Sequence, residues 1–419
     1  MLIFFDGFES YSSAPNFGQV WSYGTPGPNF TTTGGFKGTQ GIRLSPHNFY
    51  GINTARMQYS FDPIRTAAFG IALNVGNPIF DTNYDSSTTT LFRFGYGTES
   101  NVDIKIRFSP GGQYFYFEMR RVAGGALIAT SNPVSNFTPF AWNYYEVEVD
   151  ASSTVGYARL YVNGNKIIDV TNSNFSSNTN STQLVNNVTM WPLWFSDSSE
   201  NSAISTFDDF YLTDSTRVGQ LHIDPIRPSA DTAQKDWVPS TGTTNFNRVN
   251  SSTYSTSSYV STTVQDALDY YDLSDFPVDT LNNNVLGVKV SSYADKASFG
   301  DTRYNIMLKN GSTAITLPGI IPNEAQPIIS SSFAGEGKNW KVSDINNFQV
   351  GITSHINQNI VGQIVNGQFV STAPDSTLVS GDTPPVTVGN ELTFTGTQRL
   401  RYTDSTAWRA TAPYSVEFD

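Results

Sequence analysis

The segment from Tyr157 to Val170 constrains the fold of this chain more than any other part of the sequence. It consists of two runs of alternating apolar and polar residues, separated by the pair Asn163-Gly164. Asn-Gly readily adopts the positive φ values of a type I′ turn, and the twist of that turn matches the twist of paired strands. The segment therefore predicts a β-hairpin.

Five other runs in the first half have the length and the residue types of β-strands, and no helical periodicity competes with them. They are Ala67–Val75, Thr89–Gly95, Asp103–Phe108, Tyr114–Arg120 and Trp142–Asp150. The 21 Tyr and 29 Phe of the chain favour strands in the same way. Repeated short strands with turns between them predict an all-β sandwich.

The overall charge excludes several classes of partner. The chain has 24 basic residues and a formal net charge of −12, whereas nucleic-acid binding requires clustered Lys and Arg to neutralise phosphates. Anionic membrane surfaces are disfavoured for the same reason. No stretch approaches the roughly 18 apolar residues of a membrane span. We therefore expect neither a nucleic-acid partner nor a membrane partner.

Cysteine is absent from the sequence, which excludes disulfides, thiolate chemistry and Cys-based zinc sites. The start of the chain, Met1–Asp6, has no basic residues before its short apolar run. It is therefore not expected to act as a signal peptide.

The stretch from Phe207 to Trp237 divides the chain. Its first half is typical of a closing strand and its second half of the start of a new β-domain. We predict a first domain over residues 1–215, a second β-sandwich domain over 219–356, and a linker with a short C-terminal β arm over 357–419.

The second half of the chain is also predicted to be rich in strands. Val285–Ser291 and Arg303–Lys309 alternate, and Asn310-Gly311 favours another hairpin turn. Only Thr263–Tyr271 has apolar residues at helical spacing. In the C-terminal part, residues 371–385 have the composition of a linker, and residues 386–394 could form a hairpin.

Four motifs occur in the order found in one family of β-sandwiches: Asp6–Glu9, Trp142–Val149, Tyr161–Gly164 and Phe207–Tyr211. Because of these four motifs, the first half resembles the concanavalin-A-like (laminin-G-like) jelly roll of bacteriophage structural proteins. The second half resembles a module that often follows such a domain in virion proteins. The matching stretches there are Pro228–Asp231, Trp237–Gly242, Asp269–Leu273, Val285–Val290, Trp340–Asp344 and Asn347–Gly351.

Three carboxylates, Glu146, Glu148 and Asp150, could in principle perform catalysis. On a strand they share one face at steps of about 6.6 Å, and glucanases with this jelly roll also carry three carboxylates at alternate positions of a strand. This sequence departs from the glucanase order Glu, Asp, Glu. We favour an ordinary strand with Tyr145, Val147 and Val149 inward and the three acids in water, and therefore no catalytic residues.

Two further candidates concern ligands. Asp208 and Asp209 are weak candidates for Ca²⁺ ligands, as in rim loops of some laminin-G-like domains, but the six or more oxygen ligands that Ca²⁺ requires are not evident. We favour Phe207 and Phe210 as anchors of the closing strand, with one Asp capping a turn. In Met190–Phe195, Trp191 is expected in the core, and Trp194 is the candidate for an exposed carbohydrate-binding ring.

The resemblance and the residues together predict a non-enzymatic virion structural protein that is exposed on the particle, as a decoration protein, head fibre or tail-associated protein. A homo-oligomer is expected, with a trimer as the first guess. Other virion proteins are the expected partners, and the C-terminal arm could dock by strand addition. A tail receptor-binding protein that recognises host polysaccharide, and a polysaccharide depolymerase, remain alternatives.

Overall fold

The structure is a computed structural model. It describes residues 1–25, 27–31, 33–44, 55–76, 88–108, 115–121, 126–134, 141–177, 182–193, 204–251, 255–276, 280–295, 302–317, 328–334, 340–356, 362–365, 368–371, 386–388 and 391–393. No helix within these ranges is long and apolar enough to cross a membrane.

The first half folds into strands with one short helix and one 3₁₀ turn. The strands are β1 (Leu2–Asp6), β2 (Ser22–Tyr23), β3 (Asn29–Thr31), β4 (Gly41–Leu44), β5 (Met57–Ile64), β6 (Thr66–Gly76), β7 (Thr88–Tyr96), β8 (Glu99–Phe108), β9 (Phe115–Arg121), β10 (Ala126–Thr130), β11 (Trp142–Asp150), β12 (Gly156–Val162), β13 (Asn165–Ser173), β14 (Val185–Met190) and β15 (Ile204–Thr213). The helix α1 spans Ala14–Phe17, and the 3₁₀ turn spans Phe36–Gly38.

The described strands of this half form two antiparallel sheets that pack face to face. The first sheet has the order β13-β12-β11-β6-β15-β4-β3, with β1 also paired to β15, and the second has the order β10-β9-β8-β7-β14-β5-β2. One continuous apolar core lies between them, with contributions from both sheets. The predicted all-β sandwich is therefore confirmed.

Alternation along β11 decides which side chains enter this core. Tyr145, Val147 and Val149 are buried in it, as predicted, because successive strand residues point to opposite faces. At the predicted hairpin, Asn163 and Gly164 have φ values of 49° and 78°. These positive values are those that a type I′ turn requires.

The second half is built on an antiparallel sheet with the order β16-β19-β26-β22-β23. Its strands and short helices are β16 (Pro228–Lys235), β17 (Val238–Pro239), α2 (Phe246–Val249), β18 (Val260–Ser261), β19 (Leu268–Leu273), β20 (Asn284–Val285), β21 (Val288–Ala294), β22 (Thr302–Asn310), β23 (Thr313–Thr316), β24 (Ile328–Ala334), β25 (Trp340–Lys341), α3 (Val342–Ile345) and β26 (Phe348–Ile356). The ribbon of β21 and β24 packs on this sheet through Val290, Tyr304 and Ile306.

Two predictions for this half need correction. Thr263–Tyr271 is not helical, because β19 begins at Leu268 and pairs with both β16 and β26. The run Val285–Ser291 is not one strand, since it divides between β20 and β21. The Asn310-Gly311 hairpin is confirmed, with Asn310 paired to Thr313 across the turn.

In the C-terminal part, two isolated strand pairs are described. They are β27 (Gly362–Val365) with β28 (Gln368–Ser371), and β29 (Val386–Val388) with β30 (Glu391–Thr393). The second pair is the hairpin predicted near residues 386–394. The predicted linker lies outside the described residues except at Ser371.

The two halves touch at the corner that follows β1. Lys289 of β21 forms an ion pair with Asp6, and the Tyr293 hydroxyl donates a hydrogen bond to the Ser10 carbonyl at 2.5 Å. Asp6 also accepts hydrogen bonds from Tyr11 and Trp21. The N-terminal motif of the first half thus contributes to the contact between the halves.

Candidate functional site

The outer face of the first sheet is covered by the segment that connects the two halves. This connecting segment, residues 214–224, follows β15 and contacts side chains of β11 and β15 that point away from the sandwich core. Leu221 and Ile223 pack against a small apolar cluster that contains Tyr144 and Tyr211. The three candidate carboxylates of β11 point toward this same face.

Glu146 is fully buried beneath the connecting segment. The Arg217 guanidinium donates to its Oε2 at 2.6 Å. The Tyr211 hydroxyl and the Gly219 N–H donate to its Oε1 at 2.6 and 2.9 Å. Three donors and one positive charge therefore compensate the burial of this carboxylate.

Glu148 and Asp150 also have partners. The backbone N–H of Arg217 donates to Glu148 Oε1 at 2.9 Å, and the Arg159 guanidinium forms an ion pair with Glu148 Oε2 at 3.3 Å. Arg65 binds Asp150 through two nitrogens at 2.8 and 3.2 Å. Each of the three acids therefore has an arginine beside it.

This arrangement corrects the prediction that the acids lie in water. Glu146 and Glu148 are 0% and 2% exposed. Their oxygens are engaged by the chain's own donors, so a substrate would have to displace Arg217 before it reached Glu146. The geometry fits a structural role of these groups in holding the connecting segment.

Two stacked tyrosines lie beside Glu146. Their packing requires a glycine, Gly70, because a side chain at that position would meet the Tyr211 ring. The Tyr144 and Tyr211 rings are 6.5 Å apart between centroids and inclined by 19°. A Cβ placed on Gly70 would lie 2.2 Å from Tyr211 Cε1. Burial, and next the charge of Glu146, raise the pKa of Tyr211, so its hydroxyl stays a donor to that carboxylate.

Asp208 and Asp209 are both fully buried at the irregular part of β15, where Asp209 has a φ of 50°. The Phe36 N–H and the Thr39 hydroxyl donate to Asp208 Oδ2 at 2.7 and 2.8 Å. The Ile223 N–H donates to Asp209 Oδ1 at 2.9 Å. The two acids thus fix the loop near Phe36 and the connecting segment in place.

Burial, followed by the charge of Asp209, raises the pKa of Asp208. Glu9 lies close to both acids, and burial, followed by the charge of Asp208, raises the pKa of Glu9. Among the described residues, no group of three or more His, Asp or Glu side chains is arranged to hold a metal ion. Calcium binding by Asp208 and Asp209 stays a prediction. The predicted anchoring of the strand is confirmed, since Phe207 and Phe210 are buried in the core.

His222 in the connecting segment lies between two carboxylates. Its Nδ1 is 2.8 Å from Asp209 and its Nε2 is 2.9 Å from Asp224. Burial alone would lower the pKa of His222, but the hydrogen bonds to Asp209 and Asp224 outweigh it and raise the pKa to about 9. The protonated ring therefore links β15 to the connecting segment through charge as well as hydrogen bonds.

The predicted carbohydrate-binding residue, Trp194, lies outside the described residues, and so does Phe195. Leu193 is buried in the sandwich core. Trp191 is not in the core as expected: Met190, the residue before it, points into the core, whereas Trp191 is only half-buried and its ring centroid lies 5.1 Å from the Arg93 guanidinium. Trp191 therefore lies on the outer face of the second sheet.

Sequence reasoning missed Arg217, which is the main counter-charge of Glu146. The two residues are 71 positions apart, and a lone arginine between domains carries no local pattern. Sequence reasoning also gave no role to His222. Its closeness to the Asp208–Asp209 pair in sequence was the one available signal.

Comparisons with known proteins identify similar folds only. No protein-family model and no curated protein matches the chain. Among solved structures, the cellulose induced protein Cip1 is 15% identical, covers 52% of this chain and 99% of its own, and has a TM-score of 0.37. A carbohydrate esterase of Shiga toxin-encoding bacteriophage phi24B is 9% identical over 51% of this chain and 97% of its own, with a TM-score of 0.36. The CBM2 module of the evolved Dit protein of Lactobacillus casei BL23 phage J-1 is 11% identical over 50% of this chain and 94% of its own, with a TM-score of 0.35.

Proposed function

We propose that this protein is a non-enzymatic structural component of a bacteriophage virion, exposed on the particle surface. The observation that supports the proposal is the burial of Glu146 under the connecting segment. A general acid or base must reach its substrate within hydrogen-bond distance, but both oxygens of this carboxylate are engaged by Arg217, Tyr211 and Gly219. The outer face of the first sheet thus holds the connecting segment between the two β-rich halves.

The location is tested by antibody–gold labelling of phage particles purified from the source lysate and viewed by electron microscopy. Regular label on the head is expected for a decoration protein or head fibre, and label at the tail for a tail-associated protein. Particles from a phage with the gene deleted are the control. If wild-type particles carry no more label than these, the virion assignment is wrong.

The absence of enzymatic activity is tested separately with host capsular polysaccharide. We expect no new reducing ends after incubation with the purified protein. The Glu146→Gln variant is the matched control, because it removes the charge that a depolymerase would need and retains the shape of the side chain. Release of reducing ends by the wild type but not by this variant would establish the depolymerase alternative.

The C-terminal arm is the proposed docking segment of the virion protein, either to a symmetry mate or to another virion protein. Deletion of residues 357–419 is expected to abolish incorporation into particles and to leave the first half folded. Circular dichroism of the shortened protein provides the folding control. Normal incorporation of the shortened protein would place the docking surface elsewhere.

A further inference from the structure

The outer face of the second sheet carries an ordered set of charges that the proposed function does not use. On β8, Ile104 and Ile106 are buried in the sandwich core, so Asp103, Lys105 and Arg107 point to the opposite face. Across the sheet, the strand register pairs these three residues with side chains of β7 and β9.

Two nearly buried carboxylates hold three arginines in place on this face. Arg93 binds Asp103 through two nitrogens at 2.6 and 2.8 Å. Glu118 forms ion pairs with Arg120 at 2.6 Å and with Arg107 at 3.0 Å. The carboxylates are 5% and 4% exposed, whereas the arginines are 29%, 25% and 38% exposed in the order Arg93, Arg120, Arg107. A guanidinium has five N–H donors, so Arg107, the most exposed of the three, retains donors on the solvent side.

Lys105 lies in the middle of this set. It pairs in register with Thr90 on one side and with Glu118 on the other, but Glu118 is already engaged by two arginines. Lys105 has no ion pair with any described residue, and its side chain is partly exposed. Among the described residues, its ammonium is thus a positive charge without a counter-charge of its own.

Four cations, Arg93, Lys105, Arg107 and Arg120, therefore surround two carboxylates, in a chain whose formal net charge is −12. The arginine side chains are already held by buried carboxylates, so ordering these side chains when a ligand binds costs little entropy. Two aromatic rings lie within the same set: Trp191 is 5.1 Å from the Arg93 guanidinium, and Tyr116 is 5.1 Å from the Arg107 guanidinium.

We infer that this face binds a linear acidic glycan, with sugar carboxylates on Lys105 and Arg107 and sugar rings against Tyr116 and Trp191. Carboxylates match the bidentate geometry of arginine, and the aromatic rings favour a sugar chain over an acidic peptide. A nucleic acid is disfavoured because only these few cations would oppose a charge at every nucleotide. The inference goes beyond the proposed function and does not depend on where the protein sits on a particle.

The test is binding of polygalacturonate, measured by isothermal titration calorimetry on the full chain at about 0.15 M salt. At that ionic strength the screening length is about 8 Å, so charges on the face outweigh the distant negative charge of the chain. Dextran serves as the neutral glycan and polyaspartate as the acidic chain without sugar rings. We expect binding of polygalacturonate and little or none of the other two.

Lys105→Gln is expected to weaken polygalacturonate binding about tenfold, the factor that corresponds to about 1.4 kcal/mol. Lys105 has no ion pair with a described residue, so folding should be unaffected. Lys166→Gln is the matched control: Lys166 is 48% exposed on β13 of the other sheet, and its loss changes the net charge equally. We expect less than a twofold effect from it.

Three results would overturn the inference: no binding of polygalacturonate, equal binding of dextran or polyaspartate, or equal losses in the Lys105→Gln and Lys166→Gln variants. None of them bears on the immunogold result, so a failure here is distinguishable from a failure of the virion assignment.

Discussion

Lys289 Nζ lies 2.7 Å from Asp6 Oδ1, and the two side chains are 9% and 1% exposed. Residues 283 positions apart thus form a nearly buried ion pair between the two halves of the chain. The Lys289 ammonium also lies 5.4 Å from the Phe4 ring centroid. The first strand of the sandwich and a ribbon of the second half therefore meet at a charged contact.

Replacement of Lys289 should uncouple the halves. Lys289→Met leaves the Asp6 carboxylate buried without its counter-charge, so we expect the free energy of unfolding to fall by about 3–5 kcal/mol. Two separate transitions should appear in differential scanning calorimetry. Lys309→Met is the control, since Lys309 lies over the Tyr270 ring and has no ion pair with a described residue. Equal effects of the two changes would show that the ion pair does not couple the halves.

Arg217→Gln should release the connecting segment. The buried Glu146 would retain Tyr211 and Gly219 as donors but lose its charge partner, with an expected loss of about 3 kcal/mol in the free energy of unfolding measured in urea. The double variant Arg217→Gln with Glu146→Gln should recover part of that loss, since it removes the unpaired charge. If Arg217→Gln costs no more than Arg159→Gln, the charge on Glu146 is satisfied in some other way.

His222 predicts a dependence of stability on pH. Its folded pKa of about 9 lies above the ordinary value of 6.5, so its contribution is fully present below pH 6.5 and is lost as the pH rises through about 9. His222→Gln should therefore cost about 2–3 kcal/mol at pH 6 and clearly less at high pH. Urea unfolding at both pH values measures this difference. His355→Gln, which alters a more exposed histidine, should cost little at either pH.

Gly70→Ala should disturb the stacked tyrosines. The added methyl group would meet the Tyr211 ring at 2.2 Å, and overpacking of this kind typically costs about 1–3 kcal/mol. Near-ultraviolet circular dichroism should report altered packing of the rings. Gly97→Ala is the contrast, because its Cβ would meet nothing within 4 Å and only its φ of 61° is strained. An unchanged tyrosine signal in Gly70→Ala would mean that the rings can move apart without cost.

Local patterns predicted the first sheet well. The run Trp142–Asp150 is β11 without a change of boundary, and the hairpin at Asn163-Gly164 formed as expected. Both depend on alternation and on turn chemistry, which are properties of neighbouring residues. The apolar spacing in Thr263–Tyr271 was misleading, because pairing of β19 with two strands outweighed a weak helical pattern.

The environment of the candidate site could not be predicted in the same way. The alternation along β11 placed Glu146 on the correct face, but it carried no information about what covers that face. The cover is a segment about 70 residues later in the sequence, with no motif that indicates contact with β11. Strand patterns specify which side of a sheet a residue occupies, whereas burial depends on tertiary packing.

The connecting segment changes where the first half can be cut. The last strand of the first half, β15, ends at Thr213. Hydrogen-bond donors to Glu146, Glu148 and Asp209, however, come from residues 217–223. A recombination event that exchanged the second half immediately after β15 would leave buried carboxylates without partners. The sandwich and its connecting segment therefore form one structural unit, and a junction that preserves these contacts lies beyond residue 224.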